Sequence, residues 1–321
     1  MIVTVTPNPS VDRTVSVDAL LRGEVLRTSA QQLDPGGKGI NVARALHANG
    51  HATTAVVPVG GPAGAQLLAL LDGTGLDVVT VPIGGSVRSN ITIAEPDGTV
   101  TKLNEPGPTL SDDEQARLIA ATRAASAGAD WLVVSGSLPP GTPHQLLHDL
   151  VAAGRAAGAR VAVDTSEEAL LAALEARPDL IKPNAEELVA ATGRALTSIG
   201  DVIDAARELL DRGVGAVLAS LGPDGAIYVD GATCIHAELA VATPRSTVGA
   251  GDSTLAGFLT AATSPAEGLR AAVAYGAAAV SLPGSQVPAP HDLHLDAVEV
   301  QLEPDRARPL TGAPQPEGSH R

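Results

Sequence analysis

The chain has 321 residues, of which 44% are hydrophobic and only 1% aromatic, so its core is expected to consist of Ala, Val, Leu and Ile within one large α/β domain. A net charge of −15 argues against nucleic-acid binding, which needs a basic surface to neutralise phosphates. Cys234 is the lone cysteine, which excludes an intrachain disulfide and a cysteine-rich zinc site.

The N-terminal part begins with a strand pattern at residues 1–6. It has neither the charged start of a signal peptide nor a long apolar span, which predicts a cytoplasmic protein without membrane association. Weak alternation at 13–17 and 24–33 predicts short strands. Residues 86–103 predict a hairpin, with strands at 90–94 and 99–103 and a turn at 95–98. Their alternate positions are polar, as expected for a small sheet with one face in water.

A glycine-rich segment at 34–39 leads into a predicted helix at 40–49. Lys38 is followed by Gly39 rather than by Ser or Thr, so a P-loop is absent, and the Rossmann fingerprint is not matched either. What remains is a backbone that a ligand can approach closely, together with one cation and the amide of Asn41. A helix cap with a solvated lysine is the alternative interpretation.

The second half alternates short apolar runs with alanine-rich helical segments. This pattern predicts a parallel sheet that is covered by helices on both faces. Each run ends in polar or glycine-rich residues, and in open α/β sheets ligands bind beyond the carboxyl ends of the strands. The sequence therefore predicts a site built from these strand ends, which follow the runs 131–134, 160–163, 180–181 and 216–219.

A second glycine-rich helix entry lies at residues 247–253. Leu255, Phe258 and Leu259 follow at helical spacing, so Asp252 is expected in the first turn of a helix. The unpaired N–H groups and the dipole of such a helix start hold anions. A carboxylate among them is a candidate general base beside a phosphate, which indicates phosphoryl transfer. A helix entry with an Asp cap remains the alternative.

Two further segments have open alternatives. Asn184 and Glu187 share a helix face and either position a hydrated Mg²⁺ or form a variant capping box. Locally, the capping box is the better interpretation. Arg88 and Asn90 either donate paired hydrogen bonds to a phosphate or carboxylate, or are solvated on an edge strand.

Taken together, the order of these motifs resembles that of the pfkB (ribokinase-like) carbohydrate kinases. Residues 36–43 and 246–253 are similar to the two signatures of that family, and 135–141, 182–187 and 220–225 fall between them as the family requires. The resemblance implies a three-layer α/β/α fold with a mostly parallel central sheet and a small β-sheet lid. The kinase domain would span residues 1–302, with lid segments at about 11–33 and 86–106. The proline-rich residues 303–321 are predicted to be disordered.

The resemblance also implies a role for each matching residue. Asp252 would be the general base, at a helix entry whose amides stabilise the transferred phosphoryl group; that entry comprises Gly249, Ala250 and Gly251. Sugar and sugar-phosphate contacts would come from Asp12, Gly37, Lys38, Asn41, Arg88, Asn90, Ser137 and Arg27. ATP contacts would come from Lys182, Asn184, Ser220, Gly222, Gly225 and Ser281. Asn184 and Glu187 would hold Mg²⁺ through water.

Within the family, residues 6–12 and the pair Arg88 and Asn90 are similar to the phosphosugar branch. Lys38 looks most like the 1-phosphofructokinase and tagatose-6-phosphate kinase groups. The expected reaction is ATP-dependent phosphorylation of fructose 1-phosphate at its 6-hydroxyl, and the alternatives are tagatose 6-phosphate and fructose 6-phosphate. A non-catalytic sugar-phosphate sensor on the same fold is the alternative of another class. Relatives often pair through their lids, which implies a homodimer.

Overall fold

In the computed structural model, which describes residues 1–166 and 168–311, the backbone is organised around one large sheet of ten strands. Seven neighbouring strands run parallel, and the three at one edge are antiparallel. In spatial order the strands are β14 (Glu299–Gln301), β13 (Cys234–Glu238), β12 (Ala226–Asp230), β11 (Ala216–Ser220), β10 (Leu180–Ile181), β9 (Arg160–Asp164), β8 (Trp131–Ser135), β1 (Ile2–Val5), β4 (Thr53–Val59) and β5 (Asp77–Pro82).

Helices cover both faces of this sheet, which confirms the predicted three-layer α/β/α fold. One face packs against α3 (Asp112–Ala125), α4 (Gln145–Ala156), α5 (Glu168–Ala176), α6 (Ala185–Thr192) and α7 (Ile199–Asp211). The other packs against α1 (Lys38–Ala48), α2 (Gly61–Asp72), α8 (Ala250–Thr260) and α9 (Pro265–Ser281).

Strand β8 illustrates how the apolar runs fill both layers. Leu132 and Val134 belong to the core beneath one helical layer, and Trp131 and Val133 to the core beneath the other. Successive side chains of a strand point to opposite faces, so a strand buried on both sides is apolar throughout. None of the helices in residues 1–166 and 168–311 combines the length and apolar character needed to cross a membrane.

A separate four-stranded sheet forms at the carboxyl edge of the large one, where the sequence predicts a lid. Its strands, in spatial order, are β3 (Ala30–Gly36), β2 (Ser10–Ser16), β6 (Arg88–Ala94) and β7 (Val100–Asn104). The predicted hairpin is therefore present as β6 and β7, each slightly longer or shifted. Residues 17–29, part of which the sequence predicts to be strand, form neither helix nor strand.

The segment 303–311 departs from the predicted disordered tail, because it lies against the domain. Arg308 pairs with Glu238 through two hydrogen bonds of 2.6 Å. Thr311 donates to the buried carboxylate of Asp224 from its backbone N–H and its hydroxyl, both at 2.7 Å. The prediction is wrong for these residues, since a proline-rich composition does not prevent charged side chains from fixing the chain. Residues 312–321 lie outside the described part of the chain.

Candidate active site

Charged side chains from four separate elements meet beyond the carboxyl ends of the parallel strands. Lys38 begins α1, Asp164 ends β9, Lys182 follows β10, and Asp252 lies in the first turn of α8. We call these four residues the reaction cluster. Parallel strands bring their carboxyl ends to one edge, which is why residues so far apart in the chain become neighbours.

Asp252 is buried, with only 7% of its surface exposed. Its Oδ2 accepts a hydrogen bond of 2.9 Å from Nδ2 of Asn41, a residue of α1. Burial, and then the negative charge of Asp164, raise the pKa of Asp252 to about 6, although Asn41 and the two lysines oppose the rise. A carboxylate of this kind is ionised at pH 7 and more basic than an ordinary aspartate, which suits a general base.

The start of α8 is shaped by glycines. Gly249 occupies the N-cap in the left-handed conformation, with φ of 75°, and no side chain caps the helix there. The N–H of Ala250 donates to the carbonyl of Thr247 at 3.3 Å, but among the described residues no such bond uses the N–H of Gly251, so the helix start keeps its dipole and that donor available for an anion. A Cβ atom at Gly251 would lie 3.1 Å from Nζ of Lys182, so glycine lets that ammonium group approach the backbone.

Asp164 joins the two lysines of the cluster. Its Oδ1 accepts a hydrogen bond of 2.9 Å from Nζ of Lys38, and Oδ2 lies 3.3 Å from Nζ of Lys182. Burial alone would raise the pKa of Asp164, but the two ammonium groups outweigh it and lower that pKa below its usual value. Burial likewise would lower the pKa of Lys38, yet Asp164 and Glu187 hold it above the ordinary value. Lys38 is therefore held in its charged form near Asp252.

Lys38 does not point toward the small sheet, as its expected contact with the sugar phosphate would require. Its ammonium group contacts Asp164 and lies 4.0 Å from Oε1 of Glu187. It is also close enough to Asp252 to influence the pKa of that carboxylate. The structure thus places the lysine on the side of the candidate base.

Asn184 and Glu187 form a reciprocal capping box at the start of α6, the interpretation that the sequence favours locally. Asn184 Oδ1 accepts from the backbone N–H of Glu187 at 2.8 Å, and Glu187 Oε2 accepts from that of Asn184 at 2.9 Å. Oε1 of Glu187 is not used by the cap. Across residues 1–166 and 168–311, no group of three or more His, Cys, Asp or Glu side chains is arranged to hold a metal. One carboxylate oxygen with water and phosphate is a donor set that fits Mg²⁺.

Polar groups of the small sheet form a second cluster, which we call the sugar cluster. Asp12 Oδ1 accepts hydrogen bonds from the hydroxyl of Ser10 at 2.7 Å and from Nδ2 of Asn90 at 2.9 Å. The register pairs Asp12 with Asn90 across β2 and β6. A Cβ atom at Gly36 would overlap the side chains of Asp12 and Ser10, so a glycine is required on the adjacent strand.

Arg88 belongs to the same cluster and links it to the large sheet. Nη1 donates to the carbonyl of Glu105 at 3.0 Å, and Nη2 to the hydroxyl of Ser137 at 3.4 Å. Its Nε is buried without an acceptor among the described residues. Burial lowers the pKa of Arg88, while Asp12 and Glu105 act in the opposite direction. An unsatisfied, partly desolvated guanidinium is a ready partner for a phosphate.

The expected nucleotide-side residues lie around the ends of β10 and β11. Asn184 and Ser220 are partners in an isolated parallel bridge, which sets the two segments side by side. Gly222 has φ of 59° and open space where a Cβ atom would stand. Gly225 has φ of 80° and its backbone packs against the carbonyl of Ala237, so the turn allows no side chain there.

Two predicted site residues are not brought into these clusters. Arg27 is exposed in the segment between β2 and β3, and among the described residues it makes no hydrogen bond or ion pair. Ser281 ends α9, where its hydroxyl donates to the carbonyl of Ala277 at 3.0 Å. Their roles stay predictions.

Asp164 is the residue that the sequence patterns do not single out. The sequence identifies it only as a polar strand end, with no function assigned. The available signal is its position directly after an apolar run at the ligand-binding edge. Its two partners, Lys38 and Lys182, are the only lysines outside the small sheet, and no local spacing connects them to it.

Comparison with known proteins agrees with the motif order. The sequence profile described as pfkB family carbohydrate kinase matches residues 6–292. A 1-phosphofructokinase of Rhodobacter capsulatus is 41% identical over 298 residues, which cover 91% of this chain and 94% of the relative. The ATP-dependent 6-phosphofructokinase isozyme 2 of Escherichia coli is 39% identical, over 87% of this chain and 91% of the relative.

Solved structures give the same result for the fold. Phosphofructokinase-2 from Escherichia coli in complex with substrates and products superposes with a TM-score of 0.85 and 38% identity. The match covers 91% of this chain and 96% of that one. The predicted resemblance and the predicted fold are both confirmed.

Proposed function

Because the chain belongs to the pfkB family of carbohydrate kinases, we propose that it transfers the terminal phosphoryl group of ATP to the 6-hydroxyl of fructose 1-phosphate. The observation that carries the proposal is the environment of Asp252: a buried carboxylate with a raised pKa, at an uncapped helix start, between two charged lysines. These are the parts that phosphoryl transfer to an alcohol needs, namely a base and fixed positive charge.

In the proposed reaction, Asp252 accepts the proton of the acceptor hydroxyl as the oxygen attacks the phosphoryl group. Asn41 holds the carboxylate through Oδ2, which leaves Oδ1 to face the substrate. Lys38, Lys182 and the N–H groups of Gly249 and Gly251 stabilise the negative charge that develops on the transferred group, with Ala250 joining them once its N–H leaves the carbonyl of Thr247. Asp164 keeps both lysines in place by binding one ammonium with each carboxylate oxygen.

The sugar cluster supplies the other end of the substrate site. Asp12 and Asn90 offer a carboxylate and an amide to sugar hydroxyls, with Gly37 and Asn41 nearby at the start of α1. Arg88 and Ser137 bind the phosphate that the sugar already carries. Relatives named 1-phosphofructokinase, at 41% and 38% identity, and the lysine at position 38 favour fructose 1-phosphate, while a 6-phosphofructokinase isozyme 2 at 39% keeps fructose 6-phosphate as the second candidate.

ATP would lie along the ends of β10 and β11, against Ser220, Gly222 and Gly225, with Lys182 toward its phosphates. Mg²⁺, held by the ATP phosphates and by Glu187 through water, would neutralise phosphate charge. Arg27 and Ser281 belong to the proposal as residues that closure of the small sheet, or a partner subunit, would bring to the ligands.

The small sheet also supports the proposed homodimer. Leu103 of β7 is 54% exposed, which is high for an apolar side chain on a strand. A second copy of the chain packed on this face of the sheet would cover it. The oligomeric mass in solution, measured by light scattering for the wild type and for Leu103→Glu, tests this: the variant should be monomeric.

A coupled assay of ADP release tests the function. We expect the highest kcat/KM for fructose 1-phosphate, lower values for fructose 6-phosphate and tagatose 6-phosphate, and almost none for fructose and ribose. A preference for another phosphohexose would contradict the proposed substrate but not the proposed kinase activity. Turnover only with unphosphorylated sugars would contradict the phosphosugar site, and no turnover with any of the five would favour a sensor.

A further inference from the structure

A cavity of about 280 Å³ opens at the amino ends of the parallel strands, on the edge opposite the reaction cluster. Its lining includes Trp131 and Arg160, the first residues of β8 and β9. The last residues of the same strands, Ser135 and Asp164, lie at the reaction edge. Four residue steps of strand separate the two edges by about 13 Å. The cavity is therefore a different place from the proposed kinase site.

Trp131 supplies one wall of this cavity. Its side chain lines the cavity and is only 5% exposed. The ring offers the hydrocarbon part of a ligand an apolar surface.

Arg160 contributes a cation held in place. Its guanidinium carbon lies 4.2 Å from the centre of the Trp131 ring, a stacking geometry that restrains the side chain. Within residues 1–166 and 168–311, no carboxylate lies within 4.0 Å of this guanidinium. The carboxylate that shares the cavity rim, Asp130, pairs instead with the amino group of Met1 at 2.6 Å. Asp130 is near enough to feel the charge of Arg160, but the guanidinium has no direct ion-pair partner among these residues and can meet an anion.

The remaining walls decide what kind of anion fits. Ile2, Ala52, Leu259 and Ala262 line the cavity with hydrocarbon. Inorganic phosphate gains nothing from such walls, whereas an organic acid buries its own hydrocarbon against them. His51 is also in the lining; burial, followed by the nearby amino group of Met1, lowers its pKa and so disfavours a positive charge on the imidazole.

We propose that this cavity binds a small organic carboxylate. The carboxylate group pairs with the guanidinium of Arg160, beside the ring of Trp131. The hydrocarbon part of the ligand packs against the apolar walls. No residue of the reaction cluster or of the sugar cluster takes part.

Fluorescence offers a direct test, because Trp131 is the only tryptophan of the chain. The full-length protein, saturated with fructose 1-phosphate in the absence of ATP so that no turnover occurs, is titrated with butyrate. We expect a saturable change in emission with a Kd of about 1–10 mM, as is usual for so small a ligand. Butylammonium, which has the same hydrocarbon and the opposite charge, should give no saturable change, and inorganic phosphate should bind at least tenfold more weakly. No saturation by butyrate, or an equal response to butylammonium, would overturn the proposal.

Arg160→Gln gives the second test, measured by calorimetry because the substitution itself alters the tryptophan emission. Butyrate binding should weaken at least tenfold in this variant. The control, Arg123→Gln, removes an exposed arginine of α3 and should leave the affinity unchanged. Circular dichroism and sugar-kinase turnover, both expected at wild-type levels, confirm that Arg160→Gln is folded. Unchanged affinity in folded Arg160→Gln would contradict the proposed contact.

Discussion

The reaction cluster and the sugar cluster lie side by side but are built differently. In the reaction cluster the buried Asp164 contacts two lysines, so the charges are held in place before any ligand arrives. In the sugar cluster the polar groups lie on a small sheet that is partly exposed, and Arg88 keeps an unsatisfied Nε. The comparison indicates that the chemistry is preorganised on the rigid sheet, while recognition of the sugar is left to a more open element.

The largest effect should come from the candidate base. Asp252→Asn keeps the shape and the hydrogen bond to Asn41 but removes proton acceptance, so kcat should fall about 10²–10⁴-fold. ATP binding, measured by calorimetry, should stay close to that of the wild type. The control is Asp211→Asn, which changes an exposed aspartate at the end of α7 and should leave kcat unchanged. A near-normal kcat in Asp252→Asn would refute the assignment of the base.

A smaller loss is expected from Lys38→Met, which removes one of the two fixed positive charges. Since Asp164 still pairs with Lys182, the cluster remains folded, and kcat should fall about 10–100-fold with little change in KM for the phosphosugar. Lys102→Met, at an exposed position of β7, is the matched control. If Lys38→Met instead raises KM alone, Lys38 binds the phosphate that the sugar carries, and the division between the two clusters is wrong.

Arg88→Ala probes the sugar cluster and should act on KM. The loss of a charge-assisted contact to phosphate is worth about 1.5–3 kcal/mol, or roughly a 10–100-fold rise in KM, with kcat less affected. Arg22→Ala, in the exposed segment between β2 and β3, serves as the control. An unchanged KM in Arg88→Ala would support the alternative interpretation, in which Arg88 is solvated and does not bind the phosphate.

The smallest effect should come from the C-terminal segment 303–311, which contacts the end of β13. Arg308→Met removes the paired hydrogen bonds to Glu238, which are about three-quarters buried, and should lower the free energy of unfolding by about 1–3 kcal/mol in urea. Arg306→Met breaks an exposed pair with Asp204 and should cost less than about 1 kcal/mol. Equal costs would show that the segment 303–311 does not stabilise the domain through Glu238.

The sequence predicts the parallel part of the large sheet well and its antiparallel edge poorly. Strands such as β8 and β11 are continuous apolar runs, because both of their faces are covered. Strand β13 contains His236 and Glu238, and β14 has only three residues, so neither shows such a run. Their place in the sheet depends on tertiary pairing that local pattern does not encode.

The sequence likewise predicts some residues of the candidate site but not the contacts between them. Asp252 and Asn41 each lie at a glycine-rich helix entry, a local signal that is visible in the sequence itself. The direct hydrogen bond between them spans 211 positions of the chain and follows only from the packing of α1 against α8. The partner of Lys38 has no local signal for the same reason, since Asp164 is 126 positions away.

The pH dependence of kcat/KM for fructose 1-phosphate tests the role of Asp252 most directly. A base must be ionised to act, and the pKa of Asp252 is about 6 in the free enzyme, so activity is lost as the pH falls through that value. The phosphate of the substrate titrates near pH 6 as well, in wild type and variant alike. Below about pH 6, log(kcat/KM) of the wild type should therefore fall with a slope one unit steeper than that of Asp252→Asn. Equal slopes for the two enzymes would contradict the account.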